Sequence, residues 1–171
     1  MTYSKPVLGF AAFSGTGKTT LLKQLIPLLA EHGVQVGVIK HAHHNFDIDK
    51  PGKDSYELRK AGARQMLVAS SRRWALMTET DLDGDPELES LIGRLDPDSI
   101  DLVLVEGFKH VPYTRIELHR PALGHPLLYP DDSTIIAVAT DSPIDSGTLP
   151  VLDLNNVVAV VEFVLAWLNK Q

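Results

Sequence analysis

The sequence predicts a three-layer α/β fold in which helices cover a mainly parallel β-sheet. Short apolar runs typical of buried strands alternate with segments of helical periodicity along the chain. A loop with two glycines joins the first of these strands to the first helix. The 171 residues are enough to bury one hydrophobic core, so we expect a single domain over residues 1–171.

The individual elements follow from apolar runs and from the residues that end them. The first strand is predicted at residues 7–11, and the first helix ends near Gly33, a residue type that often follows a helix. Further strands are predicted at residues 34–39, 65–69, 74–77, 100–105, 134–139 and 151–152. Further helices are predicted at residues 54–62, where Asp54 is the expected N-cap, 87–95 and 155–169. Strands that alternate with helices favour parallel pairing with right-handed crossovers.

Two segments add β-structure to this alternation. The polar residues 70–73 separate two predicted strands and so predict a hairpin. Residues 107–130 contain no predicted helix, and within them Thr114, Ile116 and Leu118 alternate with Arg, Glu and His. This pattern predicts a strand with one apolar face, which either extends the sheet or pairs with another subunit.

The loop after the first strand has the sequence Ala-Phe-Ser-Gly-Thr-Gly-Lys-Thr-Thr at residues 12–20. A strand, a loop ending in Gly-Lys-Thr and a helix form the phosphate-binding loop of P-loop NTPases. Gly15 and Gly17 allow backbone angles that let successive N–H groups converge on phosphates. Ala12 replaces the first glycine of the motif, and its Cβ is small enough for the loop to form.

The residue types of this loop predict binding of a nucleoside triphosphate. Lys18 can reach the β- and γ-phosphates, and the Thr19 hydroxyl can bind Mg²⁺. The helix N-terminus behind them adds unpaired N–H donors and partial positive charge. The candidate binding residues are Ser14, Gly15, Thr16, Gly17, Lys18, Thr19 and Thr20.

A second part of the predicted site follows the apolar run at residues 100–105. Glu106 ends this strand, at the edge where parallel strands present residues to a ligand, whereas Asp101 begins it. We predict that Glu106 binds Mg²⁺, directly or through water, or orients a water for hydrolysis. The alternative is that Glu106 only caps a loop.

The loop after the second strand combines histidines with carboxylates. It occupies the position of a nucleotide-sensing switch, so Asp47 and Asp49 are candidate catalytic residues that bind Mg²⁺ through water. Clustered His and Asp also permit a transition-metal site, and a solvated polar loop is the third alternative. The polar residues of this loop are Lys40, His41, His43, His44, Asp47 and Asp49.

Base recognition is weakly encoded, because the Asn-Lys-x-Asp signature of ordinary GTPases is absent from the sequence. Asp141 follows the strand predicted at residues 134–139, where its carboxylate could accept hydrogen bonds from guanine N1–H and the exocyclic amine. A simple turn at residues 141–143 explains the same sequence equally well.

Composition excludes several functional classes. The chain has no cysteine, which excludes disulfides, thiolate metal sites and cysteine nucleophiles. A net charge of −6 argues against general nucleic-acid binding, and the apolar runs are too short to span a membrane. Without a recognisable export signal, we expect a cytoplasmic protein.

Basic residues are concentrated in one stretch of this acidic chain. They form either a solvated helix face or a patch for an anionic small molecule. The residues concerned are Lys50, Lys53, Arg59, Lys60, Arg64, Arg72 and Arg73.

Taken together, these motifs resemble the MobB family, the molybdopterin-guanine dinucleotide biosynthesis adapter proteins. The resemblance covers nearly the whole chain, and several of its blocks differ from those of P-loop proteins in general. The matching blocks are Ser-Gly-Thr-Gly-Lys-Thr-Thr-Leu-Leu at 14–22, Ile-Lys-His-x-His-His at 39–44, the segment 47–63, Arg-Trp-Ala-Leu-Met-Thr-Glu-Thr at 73–80 and Val-Glu-Gly-Phe-Lys-His at 105–110.

The resemblance implies a homodimeric GTP-binding protein with weak Mg²⁺-dependent GTPase activity. Its implied partner is a MobA-type guanylyltransferase, which attaches GMP to molybdopterin, and molybdopterin is a further candidate ligand. The resemblance also implies that residues 15–19 bind phosphate, with Glu106, Asp47 and Asp49 near the γ-phosphate.

Two other functions remain open at this point. A P-loop small-metabolite kinase would close an arginine-bearing lid over the phosphates, for which Arg72 and Arg73 or residues 115–120 are candidates. A nucleotide-free interaction module would leave the phosphate-binding loop without a purpose. Phosphate release measured with and without acceptors separates the kinase from the adapter.

Overall fold

The computed structural model describes residues 3–42, 46–81 and 84–171. The chain divides into two compact units. The first comprises Met1–His41 with Glu87–Gln171, and the second comprises Ala42–Pro86. That the whole chain acts as one domain stays a prediction.

The first unit is built around a six-stranded sheet. Its strands are β1 (Val7–Ala12), β2 (Val36–Lys40), β5 (Leu102–Glu106), β6 (Arg115–His119), β7 (Ile135–Thr140) and β8 (Val151–Asp153). Its α-helices are α1 (Lys18–Glu31), α3 (Leu88–Ile92) and α4 (Val157–Leu168).

All six strands of this sheet run parallel, in the order β2-β5-β1-β6-β7-β8. The predicted α/β class with a mainly parallel sheet is therefore confirmed. Because parallel strands end at one edge, the residues that follow them lie along that edge. Lys40, Glu106, the loop after β1, Arg120 and Asp141 all lie at or just beyond these strand ends.

Each face of the sheet packs against its own helices, which gives three layers. Alternate residues point to opposite faces, so Leu8 belongs to one core and Val7 to the other. On the first face, α1 packs with its four-residue repeat Leu21, Leu25 and Leu29, together with α4. On the opposite face, α3 packs through Leu88 and Ile92.

The apolar pattern of β6 did not predict that both faces of the strand are buried. The strand does extend the sheet, as one alternative held, and it lies in the interior between β1 and β7. The predicted apolar face is present at Ile116 and Leu118, and the polar face of Arg115, Glu117 and His119 is buried as well. Glu117 is 1 % exposed, and its two oxygens accept the backbone N–H groups of Leu128 and Tyr129 at 2.8 and 2.9 Å. A polar face is tolerated in the interior because its groups find partners there.

The second unit contains α2 (Asp54–Lys60) and the antiparallel hairpin of β3 (Gln65–Ala69) and β4 (Trp74–Thr78), which confirms the predicted hairpin. Its turn is closed by Ser70, whose Oγ accepts the N–H groups of Arg72 and Arg73. The expected N-cap at Asp54 was wrong by one residue. Lys53 occupies that position without a side-chain cap, and Asp54 lies in the first helical turn.

The helices in the described ranges are too short or too polar to cross a membrane.

Candidate nucleotide-binding site

The loop between β1 and α1 has the backbone conformation that its sequence predicts. Gly15 and Gly17 have φ values of 83° and 102°, a region that side chains disfavour. Thr16 is 2 % exposed, and its hydroxyl donates to the carbonyl of Phe13 at 2.8 Å, which closes the loop. α1 begins at Lys18, so the N–H groups of its first turn have no partner within the helix. A phosphate would find these donors beside Lys18.

The carboxylate at the end of β5 lies beside the lysine of this loop. Oε1 of Glu106 is 3.2 Å from Nζ of Lys18, and its Oε2 is 3.6 Å from Nζ of Lys40. The side chains of Lys18 and Glu106 are both about four-fifths buried. Glu106 thus lies beside the lysine of the loop, and its role toward Mg²⁺ stays a prediction. The Glu106 carboxylate and the hydroxyl of Thr19, at the start of α1, are oxygen ligands of the kind that Mg²⁺ prefers.

The backbone after Glu106 is packed tightly against the end of β2. Gly107 has a φ of 100°, and a Cβ there would lie 2.6 Å from the Cβ of His41. The N–H of His41 donates to the carbonyl of Glu106 at 2.8 Å. The rings of His41 and Phe108 lie 4.9 Å apart. Only glycine allows this close approach, which fixes the Glu106 backbone.

Arg115 holds the loop that follows Glu106, a role that the sequence did not suggest. From β6, its guanidinium donates to the carbonyls of Phe108, Lys109 and Val111 at 3.0, 3.3 and 2.5 Å. It also donates to Asp132 at 2.8 Å. Burial raises the pKa of Asp132, but hydrogen bonds from Thr134 and Arg115 outweigh burial and lower it below its usual range. The pair therefore stays charged and the loop stays anchored.

Tyr113 completes this anchor. Its hydroxyl donates to the carbonyl of Gly107 at 2.5 Å, and the Arg115 guanidinium lies 4.3 Å from its ring centroid. Burial raises the pKa of Tyr113, although Arg115 opposes that effect. The phenol consequently remains a hydrogen-bond donor near neutral pH.

Arg120 connects the phosphate-binding loop with Asp141. Its Nε donates to the carbonyl of Thr16 at 2.9 Å, its Nη1 to Oδ2 of Asp141 at 2.6 Å and its Nη2 to Oδ1 of Asn155 at 3.4 Å. The Arg120 side chain therefore links Asp141 to the backbone of the phosphate-binding loop. The turn alternative is also visible, since the N–H of Ser142 donates to the Thr140 hydroxyl.

Asp47 and Asp49 lie in the second unit, where both bind Arg59. The Arg59 guanidinium donates to Asp47 at 2.5 Å, to Asp49 at 2.7 Å and to Glu79 at 2.7 Å, with its side chain 7 % exposed. The hydrogen bond from Arg59 lowers the pKa of Asp49, and the bonds from Asp49 and Glu79 raise that of Arg59. The catalytic role of the two aspartates stays a prediction.

The same contacts correct the interpretation of the basic stretch at Arg59. Its side chain is neither on a solvated face nor available to an external anion, because three carboxylates surround it. Arg64 is exposed and pairs with Asp81 at 2.5 Å. The sequence did not predict that carboxylates surround Arg59, because these carboxylates lie up to 20 positions away from it.

The transition-metal alternative rested partly on His43 and His44, which lie outside the described residues. Among the residues that are described, no three His, Asp or Glu side chains group in a way that could hold a metal ion.

Comparison with known proteins gives one consistent family. The model of the MobB family, molybdopterin guanine dinucleotide synthesis protein B, matches residues 7–141. The molybdopterin-guanine dinucleotide biosynthesis adapter protein of Escherichia coli (strain K12) is 53% identical over 167 residues, which are 97% of this chain and 95% of that protein. The adapter protein of the same name from Haemophilus influenzae is 44% identical over 96% of this chain and 90% of its own length.

Solved structures agree with the sequence comparison. A crystal structure of molybdopterin-guanine biosynthesis protein B superposes with a TM-score of 0.76 at 26% identity, covering 95% of this chain and 99% of that one. A Bacillus subtilis MobB crystal structure gives 0.71 at 25% identity, covering 94% and 96% of the two chains. The similarity therefore spans both compact units.

Proposed function

This chain belongs to the MobB family, and from that premise we propose that it is a GTP-binding adapter protein with weak Mg²⁺-dependent GTPase activity. Adapter function in molybdopterin-guanine dinucleotide biosynthesis follows from the family and from relatives that match almost the whole chain. The observation that carries nucleotide binding is the Lys18–Glu106 pair, 3.2 Å apart beside the left-handed Gly15 and Gly17.

The pair is arranged to change partners when a nucleotide binds. Lys18 and Glu106 neutralise each other at the mouth of the loop. A triphosphate offers Lys18 a stronger anionic partner, which releases the carboxylate of Glu106. Mg²⁺, when bound, supplies positive charge to the phosphates, and Thr19 and Glu106 are the residues that would hold it.

We expect slow hydrolysis because each proposed catalytic carboxylate is held in an ion pair. Glu106 is the carboxylate beside Lys18, and it can orient an attacking water only after that ion pair opens. Of the two proposed switch aspartates, Asp47 is the more accessible, with 44% of its side chain exposed against 8% for Asp49. Arg59 is hydrogen-bonded to both carboxylates, so either one would have to leave that ion pair to bind Mg²⁺ through water.

Guanine specificity is proposed to reside in Asp141. Its Oδ2 accepts from Arg120, whereas Oδ1 lies 3.5 Å from the Ser142 hydroxyl, a marginal hydrogen bond. The carboxylate thus retains acceptor capacity for the two N–H donors on the Watson–Crick edge of guanine. Adenine lacks that donor pair, so the same carboxylate would disfavour ATP.

The proposed protein partners are a MobA-type guanylyltransferase and a second copy of this chain, with molybdopterin as a further ligand. Dimerisation is supported by the hairpin, in which Leu67 pairs with Leu76 and Ala69 with Trp74 on one face. Leu67, Trp74 and Leu76 are 60%, 69% and 48% exposed. Such an apolar surface is typical of an interface. A Trp74→Glu variant that keeps the mass of the parent in light scattering would remove the hairpin from this proposal.

The experiment for the proposed function is equilibrium binding of GTP with and without Mg²⁺, followed by phosphate release. We expect saturable GTP binding and slow phosphate release that no hydroxyl acceptor accelerates. Phosphate transferred to an acceptor would establish the kinase instead, which the adapter relatives do not favour. A cytoplasmic location belongs to the same proposal, because its substrates would be cytoplasmic nucleotides.

A further inference from the structure

We propose that Arg120 is a positioning residue that sets the orientation of the phosphate-binding loop and of the Asp141 carboxylate together. The inference rests on the proposed nucleotide site and assigns to it the residue directly after β6, which the motif does not include. Arg120 follows β6 directly, and Asp141 follows β7, so both lie at the edge of the sheet that carries the loop after β1.

At the loop, Arg120 acts on one peptide group. Its Nε donates to the carbonyl oxygen of Thr16 at 2.9 Å. The peptide between Thr16 and Gly17 is trans, so the carbonyl of the first and the N–H of the second point in opposite directions. By holding the carbonyl outward, Arg120 directs the Gly17 N–H away from itself, toward the side on which this loop type binds phosphate.

Close packing supports this function. A Cβ at Gly17 would lie 3.7 Å from Nη2 and 4.0 Å from Nε of Arg120, so the guanidinium lies directly against the loop backbone. Gly17 also has a φ of 102°, and glycine backbones in that region have several accessible conformations. A fixed hydrogen bond at this peptide therefore removes freedom that phosphate binding would otherwise have to remove.

At its other end, Arg120 orients the carboxylate proposed to read the base. Nη1 donates to Oδ2 of Asp141 at 2.6 Å, and Nη2 lies 3.4 Å from Oδ1 of Asn155, just beyond β8. From its place beyond β6, one planar guanidinium thus binds residues beyond β1, β7 and β8. Lysine has a single ammonium group and cannot reproduce this fork.

The test measures binding of inorganic tripolyphosphate, GTP and ATP to the full chain. The variants are Arg120→Gln, Arg120→Lys and Asp141→Asn, and Arg94→Gln is the control because Arg94 is an exposed arginine beyond α3. We expect Arg120→Gln to weaken tripolyphosphate binding about tenfold, the size of one hydrogen bond to a charged group. Arg94→Gln should leave it unchanged.

Two further readouts separate positioning from charge and from general stability. Arg120→Lys keeps the charge, so full recovery of tripolyphosphate affinity in that variant would overturn the proposal. Arg120→Gln should also lower the preference for GTP over ATP, but not in the Asp141→Asn background, where the oriented carboxylate is already lost. Additive effects on that preference, or unchanged tripolyphosphate binding in Arg120→Gln, would contradict the inference. A parent chain that binds neither tripolyphosphate nor GTP would instead overturn the proposed function.

Discussion

At the scale of single residues, opposite charges are held together at the phosphate edge of the sheet. Lys18 and Glu106 form an ion pair of 3.2 Å, and Arg120 and Asp141 form another of 2.6 Å. The four side chains are between 20% and 30% exposed, so both ion pairs are largely shielded from solvent. In the proposed site a triphosphate replaces Glu106 as the partner of Lys18, whereas Asp141 keeps its bond to Arg120 and offers its other oxygen to guanine.

Replacing Lys18 with Ala should lower GTP affinity by at least about tenfold, because the phosphates lose a charge-assisted hydrogen bond. The fold should persist, since Lys18 is not part of either hydrophobic core. Lys23→Ala is the matched control, an exposed lysine on the same helix. Isothermal titration of both variants measures the difference, and equal GTP affinities would exclude the proposed role of Lys18.

Replacing Glu106 with Gln should slow Mg²⁺-dependent hydrolysis more than it weakens GTP binding. The variant loses the charge proposed to hold the metal, while Lys18 is freed for the phosphates. Phosphate release across a Mg²⁺ titration is the measurement. Asp101→Asn is the control, because Asp101 precedes the same strand at its opposite end and bonds the N–H of Gln35. A Glu106→Gln variant as active as this control at every Mg²⁺ concentration would refute the placement.

Some of these residues could be predicted from the sequence and others could not. Gly15, Lys18 and Glu106 follow from strand ends and residue types, which are local signals. Arg120 contacts Thr16 across 104 positions, and that contact depends on β6 lying next to β1. The residues of β6 do not reveal which strands lie next to it, so the role of Arg120 could be recognised only from the three-dimensional structure.

At the scale of elements, β6 is a central strand that carries charged residues into the interior. All five of its residues are buried, so both of its faces are covered although every second side chain is charged or polar. Alternating apolar and polar residues usually predict a half-exposed strand. Here Glu117 binds the N–H groups of Leu128 and Tyr129, and Arg115 binds the carbonyls beyond β5. The polar face therefore organises loops on both sides of the strand.

The Glu117→Gln substitution tests this arrangement. It replaces one acceptor oxygen with an NH₂ group that faces a backbone N–H, and an unsatisfied buried group costs about 1–3 kcal/mol. We expect the free energy of unfolding to fall by about that amount in urea titrations. Glu162→Gln, an exposed change on α4, should have almost no effect. Equal stability of the two variants would show that the Glu117 carboxylate is not needed.

The second unit should lose stability in acid because of Asp49. The hydrogen bond from Arg59 lowers the pKa of Asp49 from its ordinary value of 3.8. A pKa that is lower in the folded state stabilises the unit above the ordinary value, and that stabilisation disappears as pH falls through the folded value. Asp49→Asn should abolish this part of the pH dependence, measured by NMR of the β3–β4 amides from about pH 6 to pH 3. Identical acid profiles for the parent and the variant would contradict it.

At the scale of the whole molecule, the chain carries a parallel sheet in one unit and an antiparallel hairpin in the other. The apolar periodicity predicted both, because each strand is a distinct run bounded by turn residues. The division at residues 41 and 87 was not predicted. Those positions carry no long run of Pro, Gly or Ser of the kind that marks a linker, so composition does not reveal the boundary.

The central claim is that the loop between β1 and α1 binds GTP and that Asp141 favours guanine. Competition binding of GTP and ATP to the parent chain in Mg²⁺ buffer tests it most directly, with Asp141→Asn measured alongside. We expect one GTP per chain, weaker ATP binding, and a preference for GTP that Asp141→Asn reduces. Equal affinities for GTP and ATP, or no binding of either nucleotide, would contradict the account.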